Sequence, residues 1–225
     1  MKMKKLISVS MMKANFLHLE QQLREIHQVP VDMLHIDVMD GSFVPSYSLF
    51  PDLIRSIRSC SLLPFDYHLM IESPSYKLKW FDIRKGDSVS VHYECEEETC
   101  LALDNIKELG AKAGIALKPL TSVEIIEPYL DKLDFVLILG LNPGIAGQTF
   151  IPETLDKVKH AKEFLHQKKK DHIKIEVDGK VCFDNAKIMS QNGADIFVAG
   201  TNTIFQNNLS ISKACEKLRN EITTK

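Results

Sequence analysis

The chain has 225 residues, 44% hydrophobic and 26% charged, a globular composition long enough to bury a core without disulfides or a structural metal. A formal net charge of −2 provides no broad electrostatic footprint for nucleic acid or an anionic membrane, so neither is expected as a partner. Small anionic ligands, which are held by local sites, stay open.

From the N-terminus, residues 1–5 are basic, but the apolar stretch over residues 6–12 is too short and too serine-rich for a signal-peptide core. No later run reaches transmembrane length. Five cysteines, Cys60, Cys95, Cys100, Cys182 and Cys215, form no CxxC pair; they read as reduced thiols of a cytoplasmic protein.

Short apolar runs recur along the chain and predict eight buried strands, at residues 6–10, 33–38, 65–70, 88–92, 112–117, 135–139, 174–178 and 196–200. Apolar residues at helical spacing lie between many of them. Phe16, Leu19, Leu23 and Ile26 mark the first predicted helix, and Leu53, Ile54 and Ile57 the second. Leu101, Leu103, Ile106 and Leu109 mark another, which stops at Gly110. Leu155, Val158, Ala161 and Leu165 open a long segment whose basic end, residues 168–170, reads as a solvated helix face. A helix over 188–192 ends at Gly193, and one over 211–222 closes the chain.

Alternating strands and helices imply a parallel sheet covered by helices. Eight such units fit one closed (β/α)8 TIM barrel, an α/β fold, as a single domain over residues 1–225. A doubly wound open sheet would share the alternation. However, the first strand runs through Ser8-Val9-Ser10 and is not followed by G-x-G-x-x-G.

In a barrel, function gathers at the C-terminal strand ends. Side chains two apart on a strand share a face, so His35 and Asp37 point together while Leu34, Ile36 and Val38 face the helices. His68 and Asp178 end strands three and seven. Two imidazoles and two carboxylates converging on one mouth can hold a divalent metal, and mixed N/O ligation suits Zn, Fe(II), Mn or Co. Each residue taken alone can equally be structural or solvated. Three glycine-bearing loops follow strands six, seven and eight: residues 142–148 (NPGIAGQ), Gly179-Lys180 and Gly200-Thr201. Their backbone N–H groups can approach a phosphate closely, although glycine also simply makes turns.

At these residues the chain resembles the ribulose-phosphate 3-epimerase family. The matching stretches are 35–45 (HIDVMDGSFVP), 66–70 (DYHLM), 142–152 (NPGIAGQTFIP), 175–179 (IEVDG) and 198–200 (VAG). The resemblance implies one divalent metal ion on His35, Asp37, His68 and Asp178. It implies Asp37 and Asp178 as the acid–base pair, working through a metal-stabilised 2,3-enediolate. It further implies that Ser10 and His68 contact the substrate, with Met39 and Met70 as a polarisable cushion against the reaction plane. Gly144, Ile145, Ala146, Gly147, Gly179, Gly200 and Thr201 would surround the phosphate, and Lys180 either places its ammonium near it or points into solvent. The implied partner is a small-molecule ketose phosphate, and a homo-oligomer is implied as well. His92 and Glu94, after strand four, read as supporting or structural residues rather than direct catalysts.

The chain departs from the family pattern at Val9, Ser46, Leu139, Ile145, Ala146, Lys180 and Thr201. None of these is a ligand or proton carrier; most lie where the substrate's tail would sit. The expected reaction is therefore D-ribulose 5-phosphate to D-xylulose 5-phosphate. The alternative is D-allulose 6-phosphate to D-fructose 6-phosphate, because Ala146 and Thr201 resemble that branch. A metal-free decarboxylase of the orotidine-phosphate type would need a Lys and alternating Asp where strand three ends in His68-Leu69-Met70. A non-catalytic sugar-phosphate-binding barrel is the remaining alternative.

Overall fold

The computed structural model describes residues 4–95, 97–145 and 147–223. All eight apolar runs form strands: β1 (Leu6–Ser10), β2 (Met33–Met39), β3 (Phe65–Met70), β4 (Ser88–His92), β5 (Lys112–Leu117), β6 (Phe135–Leu139), β7 (Lys174–Asp178) and β8 (Ile196–Ala199). Each pairs in parallel with the next, and β8 returns to β1, so the sheet closes into a barrel in chain order. Closure removes the exposed sheet edges. No helix among the described residues is long and apolar enough to cross a membrane. All five cysteines are free of disulfides.

The outer layer contains α1 (Leu19–Ile26), α2 (Pro51–Ser59), α3 (Pro74–Lys77), α4 (Glu98–Glu108), α5 (Glu153–Gln167), α6 (Phe183–Gln191) and α7 (Ile211–Thr223). Two crossovers are thinner than strict alternation predicts. Between β3 and β4 the chain makes only α3 and a 3-10 turn at Leu78–Trp80. Between β5 and β6 it makes a 3-10 segment, Glu124–Tyr129, with Pro128 inside it. A proline lacks the N–H that a longer α-helix would need there. The lysine run also differs from expectation. Residues 168–170 lie beyond the end of α5, and Lys169 has a φ of 57°. Lys168 pairs with Glu127 and Lys170 with Asp131, so the run is a helix terminus where cations oppose the negative dipole end, not a helix face.

Strand register fixes which residues face inward. Ser10 aligns with His35, His35 with Asp66, Asp37 with His68, and Leu139 with Asp178. The alternate positions, Leu34, Ile36, Val38, Tyr67, Leu69 and Val177 among them, are buried in the main core against the helices. The inward set is polar on β1 to β4 and β7. A separate apolar cluster, Ala116, Phe135, Leu137 and Leu139, comes from β5 and β6. Gly114 is needed there because a Cβ would stand 2.4 Å from Cζ of Phe135; the missing side chain is the space the ring fills.

A buried ion pair ties α2 to the base of the barrel. Arg58 reaches Asp87 through its two terminal guanidinium nitrogens, Nη1 and Nη2, and its Cζ stacks 3.4 Å from the Phe65 ring centroid. Asp87 also accepts from the backbone N–H groups of Phe65 (2.7 Å) and Arg84 (2.9 Å). Asp87→Ala would leave a buried guanidinium unpaired and strip two amides of their acceptor. It is expected to lower the unfolding free energy in urea by about 3–5 kcal/mol; a loss below about 1 kcal/mol would show that the pair does not hold this corner.

Candidate active site

The C-terminal ends of the strands surround a cavity of about 340 Å³. Ser10, Asp37, Met39, His68, Met70 and Asp178 line its inner part. Gly144, Ile145, Gly147, Gly179, Lys180, Gly200 and Thr201 line its outer part. The predicted residues therefore meet in one place, except that Ala146 lies outside the described residues and His35 sits fully buried beneath the wall.

The inner part follows from strand geometry. His35 and Asp37 share the inward face of β2, and pairing with β3 brings His68 beside Asp37. Asp37 Oδ1 stands 3.3 Å from His35 Nε2 and 3.4 Å from His68 Nδ1. Asp178 Oδ2 is 3.9 Å from His68 Nδ1. One ligand-type atom from each of the four lies within 4.8 Å of all the others. Both His35 Nε2 and His68 Nδ1 are buried without a hydrogen-bond partner. Imidazole nitrogens and carboxylate oxygens crowded this way, with two buried nitrogens unsatisfied, fit a cation between them.

The electrostatics fit a cation as well. Burial disfavours the Asp37 carboxylate, yet His35 and His68 outweigh burial and hold its pKa far below the usual range. Burial likewise opposes charge on His35, but Asp37 and Asp66 raise its pKa well above the ordinary imidazole value. For Asp178, burial first and the Asp37 charge second push the pKa up. Positive charge on the imidazole side and negative charge on Asp37 thus favour one another, while Asp178, beside a second carboxylate, would ionise more easily with a cation between the two.

Two further layers stand behind the imidazoles. His35 Nδ1 lies 2.8 Å from Asp66 Oδ2, and the Ser8 hydroxyl donates to that same oxygen at 2.7 Å. Glu176 Oε1 is 3.8 Å from His35 Nδ1. Burial, then the neighbouring Asp66 charge, drives the Glu176 pKa well up. Behind His68, Nε2 of that ring meets Nε2 of His92 at 2.9 Å. His92 Nδ1 meets Glu94 Oε2 at 3.1 Å, and Thr121 donates to the other Glu94 oxygen. Burial pushes the His92 pKa down to about 4. Burial opposes ionisation of Glu94, but its bonds from His92 and Thr121 hold its pKa down at about 2.

Asp66 and Glu176 were not singled out as site residues from the sequence, though each lies two residues before a metal-type ligand on the same strand face. Lys13, Met12, Leu141, Gln148 and Asn202 also line the cavity. Met12 and Lys13 belong to a three-residue 3-10 turn after β1 and the others to loops, segments too short or irregular for periodicity to carry a signal. The Ser10 hydroxyl donates to Asp37 Oδ2 at 3.0 Å, so it steadies a carboxylate as well as facing the cavity.

The loops are shaped by backbone conformations that side chains tolerate poorly. Gly179 has a φ of 92°, and a Cβ there would press on Leu141 at 2.9 Å. The next residue, Lys180, also adopts a left-handed φ of 51°, which costs a non-glycine residue roughly 1 kcal/mol. Its side chain is exposed at the cavity's edge. Gln148 bridges its own loop by donating to the carbonyls of Asn142 (2.5 Å) and Ile145 (2.9 Å).

Among solved structures, the barrel is similar to KGPDC from Streptococcus mutans, with a TM-score of 0.70, 15% identity and 96% of each chain covered. It is also similar to orotidine 5'-phosphate decarboxylase from Pyrococcus horikoshii, with a TM-score of 0.67, 16% identity and coverage of 98% of this chain and 100% of that one. At such identity the likeness is one of fold. Sequence relatives are nearer. The ribulose-phosphate 3-epimerase of Bacillus subtilis is 38% identical over 87% of this chain and 90% of its own. That of Escherichia coli K12 is 33% identical over 96% of both. Residues 6–205 match the ribulose-phosphate 3 epimerase family along nearly the whole barrel, and with the His35, Asp37, His68 and Asp178 cluster at its mouth the chain belongs to that family.

Proposed function

We propose that this epimerase, an isomerase acting on carbohydrates, interconverts D-ribulose 5-phosphate and D-xylulose 5-phosphate with the help of one divalent metal ion. The observation that carries the reading is the placement of Asp37 and Asp178 on β2 and β7, both facing one cavity. Inverting C3 of a ketose requires proton removal beside the C2 carbonyl and return of a proton to the other face. One side chain cannot serve both faces of the planar enediolate; two carboxylates from separate strands can. One accepts the proton, the protonated other donates, and the reverse reaction exchanges their roles.

His35, Asp37, His68 and Asp178 are the residues proposed to hold the ion, with Zn, Fe(II), Mn or Co suited to that donor set. When bound, it would supply Lewis-acid stabilisation of the charge that develops on the substrate oxygens. Ser10 is assigned to the substrate and to steadying Asp37, while Met39 and Met70, which line the same cavity, are assigned to the reaction plane as polarisable apolar groups. The phosphate is assigned to the loops carrying Gly144, Ile145, Ala146, Gly147, Gly179, Lys180, Gly200 and Thr201. The free cysteines fit a reducing compartment, so we place the protein in the cytoplasm. The family resemblance adds a homo-oligomer.

A second reading, D-allulose 6-phosphate to D-fructose 6-phosphate, is favoured by one specific observation. The departures Ile145, Lys180 and Thr201 all line the outer cavity, and Lys13 joins them there. In heavy water, ribulose 5-phosphate is expected to gain deuterium at C3 and to yield xylulose 5-phosphate by NMR. A kcat/KM strongly favouring the hexulose would transfer the assignment to the longer sugar; absence of exchange with either, metal supplied, would leave a non-catalytic sugar-phosphate binder.

Asp37→Asn and Asp178→Asn each remove a proton carrier and a metal-type ligand. Each is expected to lower kcat by at least about 10²–10⁴-fold. Near-normal turnover in either variant would sink the two-carboxylate scheme.

A further inference from the structure

Each imidazole of the proposed metal site uses a different ring nitrogen. His35 presents Nε2 and His68 presents Nδ1 to the same carboxylate oxygen, Asp37 Oδ1, at 3.3 and 3.4 Å. The opposite nitrogen of each ring is engaged behind the site, but by chemically different groups. Asp66 stands behind His35. Another imidazole, His92, stands behind His68.

A metal takes an imidazole nitrogen only through its lone pair, so the proton must reside on the other nitrogen. Behind His35 this is settled in one step, because a carboxylate offers only acceptors. His35 therefore keeps its proton on Nδ1 and donates it in a hydrogen bond to Asp66, and the Ser8 hydroxyl, donating to the same oxygen, holds that carboxylate in place.

Behind His68 one step settles nothing. A contact between two Nε2 atoms at 2.9 Å works with the proton on either ring. Direction must come from further away, and Glu94 supplies it. Its Oε1 is taken by the Thr121 hydroxyl, and its Oε2 faces His92 Nδ1. The carboxylate draws the single proton of neutral His92 to Nδ1. Nε2 of His92 is left as an acceptor, so His68 must donate from its own Nε2, and its Nδ1 lone pair turns to the cavity.

We infer that Glu94, acting through His92, is a positioning residue that sets the tautomer of His68 and so the metal affinity of the site. Thr121 anchors the far end of this wire. The wire runs from the loop after β5, through the loop after β4, across β4 and onto β3. Asp66 with Ser8 performs the same task for His35 with the opposite polarity. Phe43, whose ring packs 4.8 Å from that of His92, closes the apolar side of the wire. None of these groups lines the cavity; they act by fixing which nitrogen is free.

This inference rests on the metal reading, and zinc titrated into the metal-free protein tests both. In zinc-loaded parent protein, long-range 15N–1H spectra of labelled histidine should show His68 bound through Nδ1, with its Nε2 proton retained, and His35 bound through Nε2. Glu94→Leu and His92→Phe should raise the zinc dissociation constant about 10–100-fold in chelator competition, whereas His92→Gln, whose amide oxygen still accepts the His68 proton, should stay within about threefold. Urea unfolding of the metal-free variants separates a folding defect from lost affinity. Zinc held by Glu94→Leu and His92→Phe as tightly as by the parent, or His68 bound through Nε2, would overturn the wire alone. A parent whose histidines show no zinc contact would overturn the metal reading with it.

Discussion

The site depends on one constraint, the register between β2 and β3. Pairing Asp37 with His68 and His35 with Asp66 places two acids and two imidazoles in a single inward patch. A one-residue slip of β3 would turn Asp66 and His68 toward the helices and bring Tyr67 and Leu69 inside instead. The apolar outer residues resist that slip, because Leu34, Ile36, Val38, Tyr67 and Leu69 are already packed in the main core. The hydrophobic face of the sheet thus fixes the chemistry of its polar face. Burying so many ionisable groups would be costly without mutual pairing, and Asp37, Asp66 and Glu94 each lie beside an imidazole.

Strands were legible in the sequence because each is short and rich in branched residues between turn signals. The four residues of the inner site were legible for a related reason, since period-two geometry needs no knowledge of the rest of the fold. Asp66 and Glu176 obey the same period, but each lies one layer below the mouth, and depth is not written in a strand's alternation. Lys13 sits in a short 3-10 turn and Asn202 in a loop, and the path of both depends on tertiary packing. The thin crossovers were hidden because four helical residues are too few to establish a period, and because Pro128 lies within a segment that is otherwise apolar enough to be helical. The lysines at 168–170 show a composition signal misplaced by a few residues: they end a helix rather than coat one.

The barrel interior is unequal around its circumference, and that inequality bears on how the site works. Inward positions on β1 to β4 and β7 carry serines, histidines and acids, whereas β5 and β6 contribute Ala116, Phe135, Leu137 and Leu139, and β8 contributes Val198 to the cavity wall. Charges facing an apolar wall act across a medium of low polarisability, so each exerts more force than it would beside water. The same wall gives no hydrogen-bonding purchase to a water molecule that might compete for a proton in transit. Leu139 aligns with Asp178 across the β6–β7 pair and so shields the edge of the carboxylate that burial already pushes toward its protonated form. The polar half would then provide the proton carriers, while the apolar half keeps a proton released at one carboxylate from being lost to solvent before the other acts. A polar residue at Leu139 would weaken that separation without touching any ligand, because the position contributes only the absence of a partner for water.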